Sequence, residues 1–71
     1  MTPTPEEIEQ HYAAAMESVS LVNDLMAQDS RTAEEQDTVS RNVEHLQIMV
    51  AKDYWTTEDL TPFNDAIAAG S

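Results

Sequence analysis

The sequence predicts an all-α fold, an antiparallel two-helix hairpin with a short third C-terminal helix, and three observations lead there. A hydroxyl residue followed by acids, the pattern of a reciprocal helix start, occurs at Thr4 to Glu7 and again at Thr32 to Glu35. Behind each start, apolar residues recur at alternating spacings of four and three, the period of one helix face. The strong breakers, one Gly (Gly70) and three Pro (Pro3, Pro5 and Pro62), stand near the ends or at a candidate helix start, so the middle of the chain is free to form long helices.

The first helix begins where Thr4 offers a capping hydroxyl, Pro5 presets φ at the first helical position, and Glu7 can reach back to the cap amide. Ile8, Tyr12, Ala15, Val19, Val22 and Met26 then form one stripe along a helix of about 20 residues. The pattern lapses over Ala27 to Arg31, where Gln28, Asp29, Ser30 and Arg31 make a polar connection of the length that joins antiparallel neighbours. Thr32, Ala33, Glu34 and Glu35 restart it, and Val39, Val43, Leu46 and Val50 repeat the spacing. The β-branched residues of this segment argue mildly for strand, but alternation fails, and Glu44, His45 and Gln47 interrupt any apolar run.

After Lys52 the aromatics Tyr54 and Trp55 end the second helix, and Thr56 to Asp59 read as a short turn. Thr61 as cap, Pro62 in the first turn, Phe63 and Ile67 as an apolar edge and Gly70 as a stop define a third helix of two turns. In the hairpin, Tyr54 and Trp55 fall near Ile8 and Tyr12 with Phe63 folded over them, which gathers all four aromatics at one pole of the core. Residues 1–71 therefore form a single small helical domain, since 71 residues leave no room for a second.

Charge sets the class of partner. Fourteen Asp and Glu face three Lys and Arg, a formal net charge of -11, spread as -5 over residues 1–28, -3 over 29–51 and -3 over 52–71. Direct nucleic acid binding through a basic surface is excluded, and the whole surface steers toward a protein partner that is itself basic. Without cysteine there is no disulfide framework and no thiolate zinc site. The acidic start MTPTPEEIEQ has no basic segment followed by an apolar run, so no signal peptide or membrane association is expected, and the location is cytoplasmic.

The sequence predicts no enzyme and no cofactor. Three short helices enclose little volume for a cleft, and there is no Gly-rich phosphate loop, nucleophile elbow or calcium loop. The histidines His11 and His45 lack the Glu-x-x-His spacing of bundle di-metal sites, and the hairpin does not set them opposite each other, so no metal is expected. The carboxylates fit first turns and solvated faces. Candidate partner-binding residues are what remains: Leu21 and Ile48 lie off the apolar seam, Glu17 and Asp24 belong to the acidic face of the first helix, and Trp55 is either a core residue or an anchor. Leu21 and Ile48 are simply exposed, covered by the third helix, or covered by a second copy in a homodimer.

Residues 41–70, RNVEHLQIMVAKDYWTTEDLTPFNDAIAAG, resemble the C-terminal half of small acidic helical proteins of tailed bacteriophages, notably those infecting cyanobacteria; the most distinctive element runs from Lys52 to Leu60. The TPEEI-like start is also common in that group. The resemblance implies a viral source acting in the host cell cytoplasm and carries no activity or site residue. Three functions fit: a phage protein–protein interaction module using its acidic helical surface, a DNA mimic that inhibits a host defence or transcription protein by occupying its nucleic-acid groove, and a virion component or assembly factor.

Overall fold

The computed structural model describes residues 3–71, and they form three helices with no strand among them: α1 (Pro5–Met26), α2 (Ala33–Val50) and α3 (Thr61–Gly70). All-α is therefore the fold class. Both predicted starts are present in full. Thr4 Oγ1 accepts from the amide of Glu7 at 3.2 Å, while Glu7 Oε1 accepts from the amide of Thr4 at 3.3 Å. At α2 the same exchange is tighter, Thr32 Oγ1 accepting from Glu35 N at 3.1 Å and Glu35 Oε1 from Thr32 N at 2.9 Å. Each box satisfies amides that a helix otherwise leaves unpaired, and each sets an acid at the positive end of the helix dipole.

The helix ends use side chains that the sequence pattern does not advertise. Neither long helix has a basic residue in its last turn. Instead Arg31, five residues beyond α1, folds back so that Nη1 donates to the carbonyls of Leu25 and Gln28, both at 3.3 Å, while Nε donates to Gln36 Oε1 at 3.0 Å. A guanidinium thus sits where α1 presents its partial negative charge and ties that end to the first turn of α2. At the end of α2, Trp55 Nε1 donates to the carbonyl of Met49 at 2.7 Å, which also accepts from Lys52 N at 3.1 Å.

Each helix packs against both others. The fully or almost fully buried core is Ala15, Val19 and Val22 of α1, Val39, Val43, Leu46 and Met49 of α2, and Phe63 and Ala66 of α3. These follow the predicted stripes with two additions: Ala66, buried in place of the predicted Ile67, which is only partly buried, and Met49, whose unbranched side chain turns inward beside Leu46. Phe63 and Leu46 are among the largest side chains completely removed from water. Each such residue contributes about 1.5–3 kcal/mol, so a core of nine has little redundancy.

Around Phe63 the aromatics form a connected cluster. The Tyr12 and Phe63 rings lie 4.9 Å apart, Trp55 stands edge-on to Tyr12 at 6.1 Å and to Tyr54 at 4.8 Å, and Tyr54 stacks on His11 at 5.6 Å. Tyr12 Oη donates to the carbonyl of Asp59 at 2.8 Å, so the start of α1 holds the segment that leads into α3. Burial pushes the Tyr54 hydroxyl above its usual range.

The start of α3 departs from expectation. Thr61 is the first helical residue, Leu60 occupies the cap position without a side-chain bond, and the amide of Thr61 is bonded by Asp59 Oδ1 at 3.0 Å. Glu58 likewise serves the loop: Oε2 accepts from the amides of Thr56 at 2.8 Å and Thr57 at 3.2 Å. The Glu58 and Asp59 carboxyls are held below the usual carboxylate range, Glu58 chiefly through the Thr56 amide and Asp59 first through the Thr61 hydroxyl and then through its amide. Gly70 is the last residue of α3, as its reading as a stop expects, but the reason for a glycine there is a different one. It ends α3 without a positive φ, and a Cβ there would stand 2.5 Å from Val43 Cγ2 and 3.1 Å from Val39 Cγ1. Glycine is required by the close approach of α3 to α2.

Candidate functional site

The acids are the chain's most abundant functional groups, and the structure divides them by employment. Glu7, Glu35, Glu58 and Asp59 accept backbone amides, and Asp37 pairs with Arg41 at 2.9 Å one turn away on the exposed face of α2. Such an exposed pair contributes little to stability. Glu17, Asp24 and Glu34, by contrast, are exposed carboxylates on the two long helices, and they meet at one place.

That place is an open groove of about 590 Å³ between the second half of α1 and the first turns of α2. Leu21 and Leu25, one turn apart on α1, supply its apolar floor, with Leu21 42% exposed and Leu25 half-buried against the core. Glu17 and Asp24 edge it from α1, and Glu34 and Glu35 from α2. Four carboxylates share the lining with these leucines, and no cation is among the described lining residues. The Glu35 carboxyl is held below the usual range first by the Thr32 amide and hydroxyl and least by the Arg31 charge.

Three of the five candidate partner-binding residues, Glu17, Leu21 and Asp24, therefore line one groove, and the other two do not. Ile48 is 54% exposed on α2, ten residues or about 15 Å of helix beyond Thr38, the last α2 residue in the groove. The third helix covers neither Leu21 nor Ile48. Trp55 is half-buried in the aromatic cluster with its N–H already engaged, which is the arrangement of a structural tryptophan. The contributions of Glu34 and Thr38 from the facing helix were not legible in the sequence as site residues. Their own pattern is that of an ordinary first turn and polar face, and only the pairing of α1 with α2 brings them opposite Leu21.

A smaller depression of about 350 Å³ lies between Glu9, Tyr12 and Ala13 of α1 and the Glu58–Asp59 loop. Its loop acids are occupied by backbone amides and its tyrosine by the Asp59 carbonyl, so these three groups already serve the fold. Among the described residues no three His, Asp or Glu side chains are placed to hold a metal ion, and no helix is long and apolar enough to cross a membrane. No family model, curated protein or solved structure matches this chain.

Proposed function

We propose that this chain is a non-enzymatic protein–protein interaction module that binds a basic protein partner through its acidic helical surface. The observation that carries the reading is the groove, where four carboxylates line the same opening as Leu25 and the exposed Leu21. Burying those leucines is favourable, and the carboxylates select the sign of whatever buries them. The two long helices are taken as an antiparallel hairpin with α3 packed against it. Contacts at both ends support this arrangement: Leu21 beside Thr38 near the connection, and His11 against Tyr54 beyond α2. The resemblance of residues 41–70 to phage proteins supports a viral origin and action in the host cytoplasm.

The test is affinity capture from phage-infected host lysate with the full chain and with the Glu17→Gln/Asp24→Asn/Glu34→Gln variant. The reading expects a basic protein retained at about 0.1 M salt and released near 1 M, where the Debye length falls from about 10 to about 3 Å. The charge-reduced variant should retain less of it. Equal retention by both chains at both salt concentrations would refute the acidic surface as the binding element. Competition by duplex DNA for the captured protein would point instead to mimicry of a phosphate backbone.

A further inference from the structure

Resting on that reading, we infer that the occupant of the Leu21–Leu25 groove is a basic amphipathic helix of the partner protein, which packs as a fourth helix on the α1–α2 pair. Helix pairs present a groove on either flank, and here only one flank is filled. At its C-terminal end α3 approaches Val22, Val39 and Val43, as the contacts of Gly70 show. The groove uses the neighbouring positions Leu21 and Thr38, about 100° further round each helix, and no α3 residue is among the described lining. In four-helix bundles each helix packs around a common apolar core, so a helix pair with one flank filled can accept another helix on the other.

The dimensions suit a helix. The α1 edge runs from Glu17 to Leu25, about 12 Å, or two turns of an incoming helix. Leu21 and Leu25 stand at i and i+4, the ridge spacing into which apolar side chains at i and i+3 or i+4 of another helix interdigitate. The flanking carboxylates lie where the Lys and Arg positions beside that stripe would reach, their aliphatic stems over the leucines and their charges at Glu17, Asp24 and Glu34. Two alternative occupants fit less well. A second copy would face four acids with four acids on a chain of net charge -11. A basic nucleic-acid groove calls for protruding carboxylates, whereas this site is concave with an apolar base.

The experiment uses the full chain and two synthetic peptides of about 18 residues with identical Leu, Lys, Arg and Ala composition. In one, the leucines form a single helical stripe flanked by cations; in the other the order is scrambled to remove the stripe. Isothermal titration at about 0.1 M salt should show the striped peptide binding at least about tenfold tighter than the scrambled one. Leu21→Ala should erase that difference, Glu17→Gln/Asp24→Asn should weaken both peptides, and Ile48→Ala should change neither. Circular dichroism of each variant verifies folding, and backbone amide shifts on titration should centre on Leu21, Leu25 and Thr38. Equal binding of both peptides, insensitive to Leu21→Ala, would overturn the groove while leaving an acidic interaction surface in place. Absence of binding by either peptide would overturn both. A dimer in sedimentation that Leu21→Ala dissociates would assign the groove to a second copy and overturn the partner helix.

Discussion

Replacing Gly70 by Ala tests the packing of α3 where its tolerance is smallest. Two effects oppose each other. Alanine stabilises a helix interior by about 0.5–1 kcal/mol over glycine, but at the last residue of α3 only part of that is realised. Against it stands the new methyl group, 2.5 Å from Val43 Cγ2, 3.1 Å from Val39 Cγ1 and 3.3 Å from Val22 Cγ1. These valines are β-branched, held to one rotamer on a helix and buried, so they have little room to yield. Overpacking of this kind costs about 1–3 kcal/mol. The upper limit is not reached, because the last turn of α3 can lift away, giving up the Ser71 Oγ bond to the Ile67 carbonyl and part of the Ile67 contact. The expected net loss is about 1 kcal/mol, a fall of roughly 4–8 °C in melting midpoint for a domain of this size. The assay is thermal and urea denaturation followed by circular dichroism at the helix band. A second variant isolates the cause: Val43→Ala opens space at the closest contact, so the Gly70→Ala/Val43→Ala pair should lose less than the sum of its parts. A higher midpoint for Gly70→Ala, or strict additivity of the pair, would show that α3 does not approach α2 this closely.

Further expectations concern the helix ends. Trp55→Phe keeps an aromatic ring among Tyr12, Tyr54 and Phe63 but removes the N–H to Met49, whose carbonyl retains Lys52, so it should cost about 1 kcal/mol in urea denaturation. Trp55→Ala should cost about 3 kcal/mol or more, and equal effects of the two would mean that the ring contributes no packing. For Glu35, whose carboxyl is held below its ordinary value of 4.5, the contribution of the charge is present at and above about pH 5 and is lost as pH falls through the lower folded value. The midpoint of the parent should therefore exceed that of Glu35→Gln at pH 7, and the gap should narrow as the pH is taken progressively below 4.5; a gap that widens on acidification reverses the sign of the argument.

Much of the fold was legible because it is written in local rules. Thr4 with Glu7 and Thr32 with Glu35 fix two helix starts within four residues of sequence, and the four-three spacing names Val19, Val22, Val39, Val43 and Leu46 as core without reference to any partner. The aromatic pole was also foreseeable, since Trp55 and Phe63 flank a short loop and pairing the long helices brings Tyr12 to them. What escaped depends on three-dimensional proximity. Arg31 reads as one more polar residue of a turn, and only its reach of six residues back to Leu25 reveals it as a helix cap. Thr61 and Pro62 resemble a helix start so closely that the actual arrangement, with Asp59 bonding the Thr61 amide, has no signal of its own. Gly70 reads as a terminator, but its necessity comes from Val43, 27 positions away. Half of the groove was visible as the misfit leucine Leu21 and its neighbouring acids; the half supplied by α2 required the pairing.

The two ends of this molecule are unlike. It is a rod with a longest dimension of 41 Å, with the aromatic cluster where Tyr54 and Trp55 follow α2 and the Leu21–Leu25 groove toward the connection that Arg31 fastens. Its sole lysine, Lys52, is exposed in the loop next to the aromatic end, at the far end of α2 from Glu34 and Glu35. A tether attached to that side-chain amine leaves the rod standing with its groove end outward, so surface immobilisation or dye conjugation at Lys52 keeps the groove free, and a fluorophore placed there registers tumbling of the whole rod rather than events at the groove.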